Sequence, residues 1–154
     1  MKAVLLSVLG FLFIESQASA TESKLIVQCF GSHSALTVVN LFEVIGSEGL
    51  AQVNIVVTSG NGEEGGSRSQ DVYQIESMTK DGRPLKLAAY SWALRKSAEA
   101  IESDQFYGFL FVRAKAFNGR TLYLNLQRYE GSAPNLMVID GQVEELSCRS
   151  IQGE

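Results

Sequence analysis

The sequence predicts a mainly β fold, an antiparallel up-and-down β-barrel or sandwich of about eight strands with one short helix. Short runs with apolar residues at alternate positions recur along the chain, and Gly-containing turns separate them. Only one stretch spaces its apolar residues at intervals of three and four.

The N-terminus stands apart from that pattern. It has Lys2, an apolar run from Ala3 to Ile14 and a small-residue end at Ala18-Ser19-Ala20, the layout of a secretory signal peptide cleaved after Ala20. The run is shorter than the ~20 residues a membrane-spanning helix needs, so the product is expected not to span a membrane after cleavage. Residues 1–20 are thus read as leader and 21–154 as a single antiparallel β domain, secreted or periplasmic. The net charge of −4 survives loss of Lys2 and Glu15. It offers phosphates no basic field, which argues against nucleic acid as a partner.

The first strand is the apolar run Leu25 to Phe30. Ala35 to Ile45 is a longer run in which Leu36, Val38 and Phe42 alternate with Thr37 and Glu43, and Gln52 to Thr58 sets Val53, Ile55 and Val57 against Asn54 and Thr58. Ser59 to Gln70, SGNGEEGGSRSQ, is too poor in apolar groups to pack and reads as a loop. Its Glu63 and Glu64 lack the alternating Asp/Asn ligands of a calcium loop. Asp71 to Thr79 resumes strand character before a tight turn at Asp81-Gly82. The spacing then predicts strand from Leu85 to about Tyr90 and helix from Ser91 to Glu102, with Leu87, Tyr90, Leu94, Ala98 and Ile101 on one face. Strands Gln105 to Phe117 and Arg120 to Tyr129 meet at Asn118-Gly119. Leu136 to Ile139, an Asp140-Gly141 turn and Val143 to Ile151 complete the chain.

The two cysteines, Cys29 in the first strand and Cys148 in the last, are expected to pair in an oxidising compartment. In the loop-entropy view such a bridge stabilises by about 4–5 kcal/mol. His33, the only histidine, lies four positions after Cys29, but zinc asks for three or four close ligands and a nucleophilic thiol must be reduced. Neither a metal nor a cofactor is expected. The motifs G-x-S-x-G, H-E-x-x-H and the P-loop are absent, and Glu144-Glu145 point to opposite faces of a strand. No catalytic residues are assigned.

Register at Asn118-Gly119 carries the functional expectation. A plain two-residue turn would set Arg113 and Lys115 against Leu124 and Leu122. One extra residue pairs Leu110, Val112 and Ala114 with Leu126, Leu124 and Leu122 instead, an apolar face throughout, and Gly119 can take the left-handed position this requires. The other face then carries Tyr107, Phe109, Phe111, Arg113 and Lys115 beside Tyr129, Gln127, Asn125, Tyr123 and Thr121. Aromatic residues around an Arg are the composition of a recognition surface, so Tyr107, Phe109, Phe111, Arg113, Tyr123 and Tyr129 are the candidate binding residues. The same rings could instead lie beneath the helix as a second small core, or line a barrel interior open to a ligand. The function expected is a noncatalytic exported binding module for a small apolar ligand or an envelope protein. The alternative is a structural or interaction protein of the cell envelope with no ligand.

Overall fold

The computed structural model describes residues 22–32, 37–46, 48–49, 51–60, 66–103, 105, 107–126 and 134–151. The expected leader, His33, the centre of the Gly-rich stretch (61–65), Gln127 and Tyr129 lie outside the described residues.

The elements are β1 (Glu22–Gly31), β2 (Val38–Ile45), β3 (Ala51–Gly60), β4 (Arg68–Lys80), β5 (Arg83–Pro84), a 3₁₀ turn at Leu87–Ala89, α1 (Tyr90–Glu102), β6 (Leu110–Ala116), β7 (Thr121–Leu126), β8 (Asn135–Ile139) and β9 (Gln142–Ser150). Every pairing is antiparallel, and neighbours run β1-β2-β3-β4-β6-β7-β8-β9 before β9 returns to β1. The sheet therefore closes into an eight-stranded up-and-down barrel, and β5 is an extra two-residue strand on β4. Closure removes the open edges that a meander would otherwise present.

Cys29 and Cys148 are direct cross-strand partners on β1 and β9 and form the disulfide, which joins positions 119 apart. Both side chains are buried. The bridge therefore staples the seam at which the first and last strands meet.

Turn chemistry sets the hairpins. Asp81-Gly82 and Asp140-Gly141 are two-residue turns with positive φ at both positions (50° and 76°, 51° and 77°), the primed geometry that suits strand twist. At the β6–β7 turn, Ala116 N–H donates to the Arg120 carbonyl at 2.9 Å, and Gly119 takes φ 88° in a three-residue loop. The register is the bulged one: Leu110, Val112 and Ala114 face Leu126, Leu124 and Leu122, and all six are buried.

Inward side chains fill the barrel. Val27, Val39, Leu41, Ile55, Tyr73, Met78, Val112 and Leu124 belong to one buried cluster that also includes Tyr90, Ala93, Leu94, Ala98 and Ile101 of α1. The helix touches β9, β1, β3 and the margin of β6, and so plugs one end of the barrel. Its dock includes a buried carboxylate. Glu43 projects inward from β2 and is buried; Ser91 Oγ donates to its Oε1 at 2.6 Å, and the Arg95 guanidinium pairs with Oε2. A buried carboxylate requires such partners, since without them it would be desolvated and uncompensated.

Five expectations need correction. The buried face of β2 is Thr37, Val39, Leu41 and Glu43, while Val38 and Phe42 face outward and are half-buried, because a run apolar on both faces leaves its phase open. Ser59, Gly60 and Arg68–Gln70 extend the β3–β4 hairpin rather than belonging to a loop, since a backbone ladder needs no apolar side chains. No strand forms over 85–90: the return strand of the hairpin is the two residues Arg83–Pro84, Pro84 cannot donate to a ladder, and the chain turns into helix. Leu87 then lies in the 3₁₀ turn and is exposed, apart from the buried face of α1. β6 begins at Leu110, not Gln105, because Gly108 takes φ 128°, outside the strand range.

Candidate binding face

Of the six aromatic-face residues, the structure unites four. Phe111 and Arg113 alternate outward along β6, and Tyr123 stands directly across from Arg113 on β7. The Phe111 and Tyr123 rings stack diagonally, 5.9 Å between centroids at 27°. Phe109, just before the strand, is exposed with them: the three rings retain 47% (Phe109), 43% (Phe111) and 38% (Tyr123) of their accessible surface. Arg113 Nε pairs with Glu76 of β4 at 3.3 Å, so the cation beside the rings is neutralised.

Tyr107 goes elsewhere. The kink at Gly108 breaks its alternation with Phe109, and its ring meets Trp92 of α1 edge-on at 6.3 Å, with Lys80 Nζ 4.6 Å from its centroid. Neither alternative placement holds for Phe109, Phe111 and Tyr123. The helix covers the barrel end and leaves Phe111 exposed, and the interior positions of this hairpin belong to Leu110, Val112, Ala114, Leu122, Leu124 and Leu126.

Phe109 is held by a reciprocal clasp. The Asp81 carboxylate accepts from Phe109 N–H at 2.8 Å, and Asp81 N–H donates to the Phe109 carbonyl at 2.8 Å. That backbone donor, followed by the Lys80 ammonium at 3.0 Å, holds the Asp81 carboxyl below its ordinary value of 3.8. Gly108 makes the approach possible, since a Cβ there would stand 2.8 Å from Asp81 Oδ1.

The face extends in a direction the sequence reading missed. Tyr123 pairs with Val138 of β8, and Val138 pairs with Val143 of β9, so Arg113, Tyr123, Val138 and Val143 form one row across four strands. The next row brings Leu136 beside Asn125 and Phe111. Val143 is well exposed. The available signal was the unbroken apolar run Leu136-Met137-Val138-Ile139, which leaves apolar residues on the outer face as well as on the inner. The expected extension toward Tyr129 falls outside the described residues.

The arrangement offers apolar contact with polar tips. Among the described residues no three His, Cys, Asp or Glu side chains gather as a metal would require. No helix of the described residues is long and apolar enough to cross a membrane. No family model, curated protein or solved structure matches the chain.

Proposed function

We propose that the chain is a noncatalytic exported binding module that holds a protein partner through the outer wall of β6 to β9. One observation carries this reading: Phe109, Phe111 and Tyr123 stay exposed beside Leu136, Val138 and Val143 on a wall whose inner side is already packed. A contiguous apolar patch with aromatic bodies is the signature of association surfaces, and filled inner positions leave the outer wall as the better seat for a ligand. The leader pattern and the Cys29–Cys148 bridge support a secreted or periplasmic location.

Site-specific photocrosslinking in the native host tests it. A photoreactive residue at position 111 is expected to give one discrete protein adduct that is lost on Tyr123→Ala, while the same probe at Gln28, on the opposite wall, gives none. Equal adducts from both walls, or none from position 111, would favour the structural envelope protein instead.

A further inference from the structure

The segment from Lys80 to Lys96 inverts the charge of the chain. It holds five of the thirteen Lys and Arg residues and one of the seventeen acids, in a protein whose net charge is −4. It forms the β4–β5 hairpin, the 3₁₀ turn and the first half of α1, so the topology gathers it at the end of the barrel that α1 plugs. Three of its cations are neutralised in place: Lys80 by Asp81 at 3.0 Å, Lys96 by Glu99 at 2.7 Å, and Arg95 by the buried Glu43. Arg83 and Lys86, both exposed, are the charge in excess.

Two large apolar side chains stand open in the same segment, Leu87 of the 3₁₀ turn at 51% exposure and Trp92 of α1 at 58%. A chain of contacts ties Trp92 to the cations. Its ring meets Tyr107 edge-on, the Lys80 ammonium lies 4.6 Å from the Tyr107 centroid, and Lys80 is the cross-strand partner of Arg83. Lys96 follows Trp92 by one turn of α1. Aromatic and basic groups thus share one end of the barrel, away from the β6 to β9 wall.

We infer that this end of the barrel seats on an anionic lipid surface, with Trp92 and Leu87 entering the headgroup region and Arg83 and Lys86 meeting the lipid phosphates. The two halves of the patch select the occupant together. Exposed apolar bodies gain by leaving water, and tryptophan favours the level at which hydrocarbon meets headgroups. Excess cations beside them are drawn to an anionic leaflet, each by about fivefold in partitioning. An acidic polypeptide would answer the cations but offer Trp92 and Leu87 no apolar bed. The contact is peripheral: the apolar face of α1 is buried in the barrel, and no helix of the described residues is long and apolar enough to cross a membrane. The seat does not depend on what the β6 to β9 wall holds.

Trp92 is the only tryptophan, so its emission reports on this end alone, whatever the leader does. Vesicles of mixed phosphatidylglycerol and phosphatidylcholine are expected to shift that emission to the blue at low salt, and about 1 M salt, where charges are screened within ~3 Å, should largely reverse the shift. Vesicles of phosphatidylcholine alone should leave it in place. Arg83→Gln combined with Lys86→Gln should weaken partitioning by about 25-fold with the melting temperature unchanged, since both side chains are exposed. Leu87→Ala should weaken it severalfold through lost apolar contact. An equal shift with phosphatidylcholine, no shift with either vesicle, or a double variant that partitions as wild type does would each overturn the proposal. A shift with polyglutamate and none with vesicles would overturn it in favour of an acidic protein at this end.

Discussion

The two outer walls of the barrel treat their side chains differently. Across β9, β1 and β2, Arg149 donates to Gln28 Oε1 and Gln28 Nε2 donates to Asn40 Oδ1 at 3.0 Å, while the Arg149 guanidinium lies 5.2 Å over the Phe30 ring. Polar groups there satisfy one another, and the aromatic ring is roofed by a cation. Across β6 to β9, Phe111 and Tyr123 stack on each other and remain open to solvent beside Val138 and Val143. The first wall is finished within the chain. The second has contact surface to spare, and that difference favours it as the interaction surface.

The contrast is sharpest within the β6–β7 hairpin, where inner and outer faces share one backbone. Leu124→Ala should destabilise most, by about 2–5 kcal/mol, because a fully buried side chain leaves a cavity; chemical denaturation of wild type and variant measures it. Gly108→Ala comes next, at about 1–3 kcal/mol, since it forces a side chain to φ 128° and crowds the Asp81 carboxylate. Its Phe109 amide resonance should also move, and an unchanged spectrum would mean that the clasp tolerates a Cβ. Phe111→Ala should cost only about 1 kcal/mol, the worth of one stacked aromatic pair. A loss as large as that of Leu124→Ala would show that the outer ring belongs to the core and erase the contrast.

The smallest effect is one of pH. Asp81 titrates lower in the folded chain than in the unfolded one, so its contribution is present above the ordinary value of 3.8 and is lost as pH falls through the depressed folded value. Asp81→Asn retains an oxygen for Phe109 N–H but no charge. Wild type should therefore melt slightly above the variant at neutral pH, and the two should converge in acid. A gap that persists in acid would assign the effect to something other than this carboxylate.

Legibility followed polarity. The β6–β7 register could be read because one phase would have set Arg113 and Lys115 against leucines, a choice with a large penalty attached. Asp81-Gly82 and Asp140-Gly141 could be read because few residues accept two consecutive positive φ values. The phase of β2 could not, since Val38, Val39, Leu41 and Phe42 leave both faces apolar. The same ambiguity at Leu136–Ile139 hid half of the candidate face. The burial of Glu43 is not legible because its partners Ser91 and Arg95 lie 48 and 52 positions away, a separation that no local pattern encodes. Gly108 gave no warning of its kink because a lone glycine in a strand-like run is equally compatible with an unbroken strand.

The seam between β1 and β9 has a consequence for how the barrel is made. Most other barrel pairings join strands that are neighbours in the chain and can grow from a short turn, but this one brings the two ends together and meets the loop-closure entropy of the entire sheet. Until β9 arrives, β1 is a bare edge able to recruit a strand from another molecule. Oxidation of Cys29 and Cys148 fixes that seam covalently. A linked seam cannot part, so unzipping has to start at some other strand pair, and thiol reductants should hasten unfolding by restoring the shortest way out.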